Sequence, residues 1–421
     1  MKTSNIFRKI LLCVACLPAL LQAGNALTLD TAIQLALEAD PIVKSHSHQI
    51  NAFEEYSIAA DSWADPKIKL GLVSLPTDSM ELDQEPMTQL IFGYQQILPR
   101  GNTVEHEAGH LKAKAYEKDA DLSLRQRMVR KNVRKAWMKV YLHEQSEKII
   151  QKNRRLFKQQ LNVSQSLYAS GRNQQQDVLQ AELELSLLDD QLQQVNSKIK
   201  QARAKLSKWV GAENSKLSLQ VKSGQFNQPL SASIEGLVRM LNDYPLMAKY
   251  RAKEFASKEQ LELAKQKYKP QWGFDISYGK RSGLNMDGSD RSDFVSTIIN
   301  FDLPVFTSQK QDKVLSARQK QLLASKYEKQ DIYLKAVSQL EQFYAEWQQL
   351  RKRVDLYDQR VLKQAKQNAT AALNGYQSGV VSFITLTRAR SAELKAELQR
   401  LNLIVEQSIV HADISYLVGE I

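Results

Sequence analysis

His106-Glu107-Ala108-Gly109-His110 is the sharpest chemical motif in the sequence, an HExxH spelling. On a helix it sets two imidazoles on one face, fit to hold zinc, with the glutamate as a base. A zinc hydrolase needs a third protein ligand. Tyr116 stands where a further histidine would supply it, and residues 122–143 contain no acid. His106 and His110 therefore stand only as candidates for a loose metal contact, and proteolysis is not expected. His46 and His48, two residues apart, point to different sides of a helix and cannot chelate together. Met80, Met87 and Met286 offer thioethers that suit soft cations such as Cu(I). They are scattered over two loop regions and read as filling. Trp137 and Trp347 read as helix packing. With no nucleophile–base pair and no phosphate loop, neither an enzyme nor a cofactor binder is expected.

The elements that must position such residues begin with an export signal. Residues 1–26 read as a secretory signal peptide, with Lys2, Arg8 and Lys9 ahead of the apolar stretch Ile10–Leu21. Cleavage after Ala23 or Ala26 fits equally, and acylation at Cys16 is the competing reading. Both cysteines, Cys13 and Cys16, lie in this segment, so the mature chain has no thiolate metal site and no disulfide. Loss of Lys2, Arg8 and Lys9 takes the formal charge from +12 to +9. The acids are interleaved with the bases, so the surplus reads as solvated helix faces, and no nucleic-acid partner is expected. No later apolar run reaches the about 18 residues of a membrane helix. A periplasmic protein or a β-barrel remains.

The chain is duplicated. Pro41 and Pro66 recur as Pro245 and Pro270, displaced by 204; Leu98-Pro99 recurs as Leu303-Pro304, displaced by 205. Tyr168-Ala-Ser-Gly171 recurs as Tyr376-Gln-Ser-Gly379, displaced by 208. Each repeat opens with short helical stretches and continues into two segments of alternating pattern. Ile68, Leu70 and Leu72 are answered by Leu90, Phe92 and Tyr94, and in the second copy Trp272, Phe274, Ile276 and Tyr278 by Val295, Thr297, Ile299 and Phe301. Period two with bulky apolar residues on one face predicts strands with one wet face. Four strands cannot close a barrel, and small barrels need about eight. Either something covers the sheet or several chains pool their strands. From Thr103 to Ala169 there is no proline and one glycine, Gly109. At 1.5 Å per residue such a helix runs about 100 Å, too long for a compact domain. Gly171 and Gly379 turn the chain back into return helices, giving coiled-coil-like hairpins.

In this order the sequence resembles the TolC-like outer-membrane efflux proteins, the outer membrane factor family. The resemblance rests on the opening Leu27-Thr-Leu-Asp-Thr-Ala-Ile-Gln-Leu-Ala-Leu-Glu-Ala-Asp-Pro41, the two proline-bounded strand pairs, and the Tyr-x-x-Gly turns followed by Asp177-Val-Leu-x-Ala181. Leu75-Pro76-Thr-Asp-Ser, Glu85-Pro-Met-Thr-Gln89 and Gln96-Ile-Leu-Pro-Arg-Gly101 are most similar to the heavy-metal, CusC- and CzcC-like, branch.

The resemblance implies an α+β membrane protein in which three chains pool four strands each into a twelve-stranded barrel above a helical periplasmic tunnel. It implies apolar strand residues against outer-membrane lipid and polar ones toward water. It places Tyr168, Gly171, Tyr376 and Gly379 at the periplasmic tip, where an adaptor (membrane fusion protein) of an inner-membrane pump, of RND type, would dock. The family's acidic constriction maps onto Thr385 and Arg388 here, a departure, with Asp177 at the equivalent place in the first repeat. The expected organisation is a leader over 1–26, a first repeat over 27–210 (strands within 67–98, helical hairpin 103–210), an equatorial linker over 211–231, and a second repeat over 232–421 (strands within 271–303, hairpin 309–420). The expected function is a passive efflux conduit for heavy-metal cations in a Gram-negative-type envelope. The same channel serving drug efflux or type I secretion, and a soluble periplasmic scaffold or adaptor, are the alternatives.

Overall fold

The computed structural model describes residues 26–419 apart from 173, 223, 227, 228 and 231. The expected leader, with both cysteines and the Ala23 cleavage option, lies outside the described residues. β1 (Ala26–Thr28) leads into α1 (Leu29–Ala39), whose first turn is capped by Thr28 Oγ1 accepting from the Thr31 N–H at 3.2 Å. Asp40 then caps α2 (Pro41–Ala60), its Oδ1 accepting from Ile42 and Val43 at 2.9 and 3.0 Å. Pro41 sits at the first helical position, where its missing N–H costs nothing.

β2 (Lys67–Val73) and β3 (Gln89–Ile97) follow, then α3 (Thr103–Ala169) and α4 (Gln175–Val210). β4 (Ser218–Gln220) pairs in parallel with β1, Leu27 opposite Leu219. The second copy runs α5 (Ile234–Met240), α6 (Pro245–Gln266), β5 (Gln271–Lys280), β6 (Phe294–Asp302), α7 (Gln311–Leu356), α8 (Leu362–Gln377) and α9 (Phe383–Val418).

The two hairpins join into one antiparallel sheet of order β2-β3-β5-β6, with Phe92 opposite Tyr278 across the repeat boundary. β2 and β6 are its edges. Its apolar face is open: Ile68, Leu70, Phe92, Ile276, Val295 and Ile299 are all exposed. On the other face Asp275 is buried and ion-paired with Lys69.

α3 runs its first half against α2 and α6 and its second half against α4. Apolar contacts fall into separate clusters along this length instead of one central core. One surrounds Trp137, with Leu27, Ile33, Val133 and Leu206; its indole N–H donates to the Leu27 carbonyl at 3.2 Å. Full burial of one such side chain stabilises by about 1.5–3 kcal/mol. A second cluster, around Leu340, Trp347 and Ile414, does the same for the second repeat.

Two features differ from the sequence reading. The outgoing arm of the second long hairpin is not one unbroken α-helix like α3 of the first: Tyr357–Val361 form a π-turn between α7 and α8. The segment holds no proline or glycine to betray it; one extra residue per turn rotates the apolar stripe between the two helices. The expected linker is likewise partly structured, since β4 and Phe226 pack onto the first cluster.

Candidate functional site

The far end of the helical hairpins carries two turns of matched geometry. Gly171 follows α3 with φ +75° and Gly379 follows α8 with the same φ. In each the residue after the glycine donates back five positions, Arg172 to the Leu167 carbonyl at 2.9 Å and Val380 to Gly375 at 2.8 Å. This is the Schellman closure, and its left-handed residue favours glycine. An added Cβ would meet no atom within 4 Å at either position, so the demand for glycine there is purely one of backbone.

The hairpins are bound to each other near this end. Tyr376 and Phe383 pack edge-to-face at 5.4 Å over Ala181, Leu386 and Ala369. The Tyr376 hydroxyl shares a buried 2.9 Å hydrogen bond with Ser164 Oγ. Its counterpart Tyr168 is exposed, so the duplicated tyrosines differ in environment. Asp177 is half-buried in the first turn of α4, where the helix dipole favours an acid. Thr385 and Arg388 are exposed in the first turns of α9, and Ser382 caps that helix.

His106 and His110 lie near the other end of α3 and face α6. His106 Nδ1 is 2.8 Å from Glu259 Oε2; His110 Nδ1 is 3.2 Å from the Ala256 carbonyl, with its Nε2 3.3 Å from Gln260 Nε2. Glu107, the glutamate of the motif, is exposed, and it is Glu259 that meets His106. Among the described residues no group of three or more His, Cys, Asp or Glu could hold a metal ion. Met80, Met87 and Met286 are exposed in the strand-connecting loops.

On the inner face of the sheet, the ion pair between Lys69 and Asp275 spans β3, and Gly93 lies beneath it. A Cβ at Gly93 would come within 3.3 Å of Lys69 Cβ and 3.4 Å of Ser277 Cβ. The sequence shows only a small residue in an alternating strand at this point; the partners, 206 residues apart, meet only in the fold.

A family profile described as outer membrane efflux protein matches residues 32–212 and 237–420. No curated protein matches the sequence. Solved structures share the fold at low identity. CusC is 14% identical, covers 93% of this chain and 92% of its own, and superposes with a TM-score of 0.77. The Vibrio cholerae outer membrane protein VceC is 15% identical, with 93% and 96% covered and a TM-score of 0.73. The Campylobacter jejuni outer membrane channel CmeC is 13% identical, with 93% and 85% covered and a TM-score of 0.73.

Proposed function

The chain belongs to the outer membrane efflux protein family, and from that membership we propose that three copies form the exit conduit of a pump for heavy-metal cations. Members of the family are passive outer-membrane channels with helices in the periplasm, and conduction needs no catalytic residue. The observation that carries the trimer is the sheet: four strands with an exposed apolar face and two open edges. Its strands alternate in direction, so β6 of one copy meets β2 of the next in antiparallel sense. Twelve is an even number, as bacterial barrels of this kind require. Closure removes the edges, and lipid covers the apolar face.

The helices then extend the lumen into the periplasm. The turns at Gly171 and Gly379, with Tyr168 and Tyr376 beside them, would take the adaptor, which links the channel to an RND-type pump that supplies the work. Three copies of Asp177 would narrow the tip as an acidic ring, while Thr385 and Arg388 would not. The metal cargo is supported by the strand-loop segments Leu75–Ser79 and Glu85–Gln89, which resemble the heavy-metal branch.

Growth of cells with and without the gene on graded copper, silver, zinc, cadmium and cobalt tests the cargo. Selective metal sensitivity on deletion is the expected outcome. Unchanged metal tolerance with new drug sensitivity would transfer the conduit to drug efflux.

A further inference from the structure

Away from the tip and the sheet, α3 and α4 of the first repeat meet α9 and the π-turn of the second around a groove of about 810 Å³. Small-molecule sites usually measure about 300–1,000 Å³. Leu142, Ile150, Val195 and Ala396 are buried residues of its lining. Tyr357 and Val361 line it from the π-turn, an irregularity that recurs at functional sites.

The charge around this groove is of one sign. Lys198 on α4 and Lys395 on α9 line it, both exposed, and among the described residues no acid does. His143 on α3 lines it too. Burial, and then Lys139, Lys198 and Lys205, press the His143 pKa below its ordinary value, because each lysine opposes a further positive charge. None of these four lysines is ion-paired among the described residues. The acids near them in sequence are engaged elsewhere: Glu144 with Arg203, Glu397 with Lys152, Glu147 with the Gln151 amide, and Asp358 of the π-turn with Arg400.

We propose that this groove between the repeats binds an amphiphilic organic anion, its charged group beside Lys198 in the field of Lys139 and Lys205, its apolar body on Leu142, Ile150 and Val195. An anion relieves the repulsion among the lysines, and an apolar body removes the aliphatic lining from water. Inorganic anions would answer only the charge, and uncharged apolar molecules only the lining. A metal cation would be repelled, so the site is independent of the cargo assigned to the conduit.

Fluorescence titration of the full chain in lipid nanodiscs tests the proposal, with anilinonaphthalene sulfonate as the anion, uncharged phenylnaphthylamine as its control, and the signal of empty nanodiscs subtracted. The sulfonate should bind saturably and much more tightly than the amine, and added salt should weaken it by screening. Lys198→Gln should weaken the sulfonate about fivefold, as loss of one exposed charge contact implies. The triple variant Lys139→Gln, Lys198→Gln, Lys205→Gln should weaken it about tenfold or more. Lys200→Gln, also exposed on α4 but two positions on and so turned away, should leave it unchanged. All these side chains are exposed, so the variants spare the core. Equal affinity for both probes would make the groove merely apolar and overturn the proposal. So would sulfonate binding that the triple variant leaves unchanged, or no saturable binding at all, as expected of a groove covered by the next copy.

Discussion

Asp40 serves two elements at once. It caps α2 through Ile42 and Val43, and its carboxylate takes a two-point contact from Arg125 on α3, at 3.2 Å from Nε and 2.6 Å from Nη2. Burial opposes its ionisation, but the Arg125 guanidinium and the backbone N–H groups of Val43 and Ile42 outweigh it, holding the carboxyl below its ordinary range. The folded state therefore binds this proton less readily than the unfolded chain. The resulting stability is complete above the unfolded value, about 3.9, and is lost as pH falls through the lower folded value. Asp40→Ala should destabilise the protein by about 1–3 kcal/mol near neutrality, read from thermal unfolding in detergent. The deficit should shrink below about pH 4; a deficit independent of pH would mean the charge contributes nothing. At the tip, Tyr376→Phe should cost about 1 kcal/mol through the lost Ser164 bond, while Tyr168→Phe should cost nothing measurable. At this scale the sequence shows little. The Asp-Pro cap is visible in neighbouring residues, but Arg125, Ser164 and Glu259 reach their partners across 85, 212 and 153 positions.

At the scale of elements, the positive φ of Gly171 and Gly379 sets a simple expectation. A side chain in the left-handed region costs about 1–2 kcal/mol, with no steric term in this open space. Gly171→Val and Gly379→Val should each distort the turn and impair adaptor crosslinking and efflux. Normal efflux from both variants would remove the turns from the docking role. Gly93→Val differs, because its Cβ would crowd Lys69 and Ser277 and disturb the ion pair to Asp275; reduced yield of folded channel is the expected result, and wild-type yield the contrary one. Much of this layer was legible. Long proline-free runs predict the long helices, and period-two alternation predicts the four strands, because both depend on patterns within one element. The π-turn at Tyr357–Val361 was not legible, since it breaks no local rule. Nor was the β1–β4 pair: three-residue strands carry too little pattern, and their partners are almost 200 residues apart.

At the scale of the whole molecule, duplication was readable from matched prolines and turns, and it accounts for a sheet made of two hairpins. What the sequence left hidden is where the repeats meet: the β3–β5 register and the lysine-rimmed groove beside the π-turn. The exposed apolar face gives the molecule its solvent. Phe92→Lys would place a charge there at about 2–4 kcal/mol if it lies near the bilayer midplane, and should abolish outer-membrane assembly while leaving the helices folded by circular dichroism. Unchanged assembly would put that face elsewhere than in lipid. The most direct measurement of the central claim is the native mass of the chain extracted from isolated outer membranes in detergent. Three copies per particle, released only by detergent and held together on an unheated gel, is the result predicted by a sheet with two open edges. A monomer recovered from the periplasm without detergent would contradict the pooled barrel, and with it the conduit.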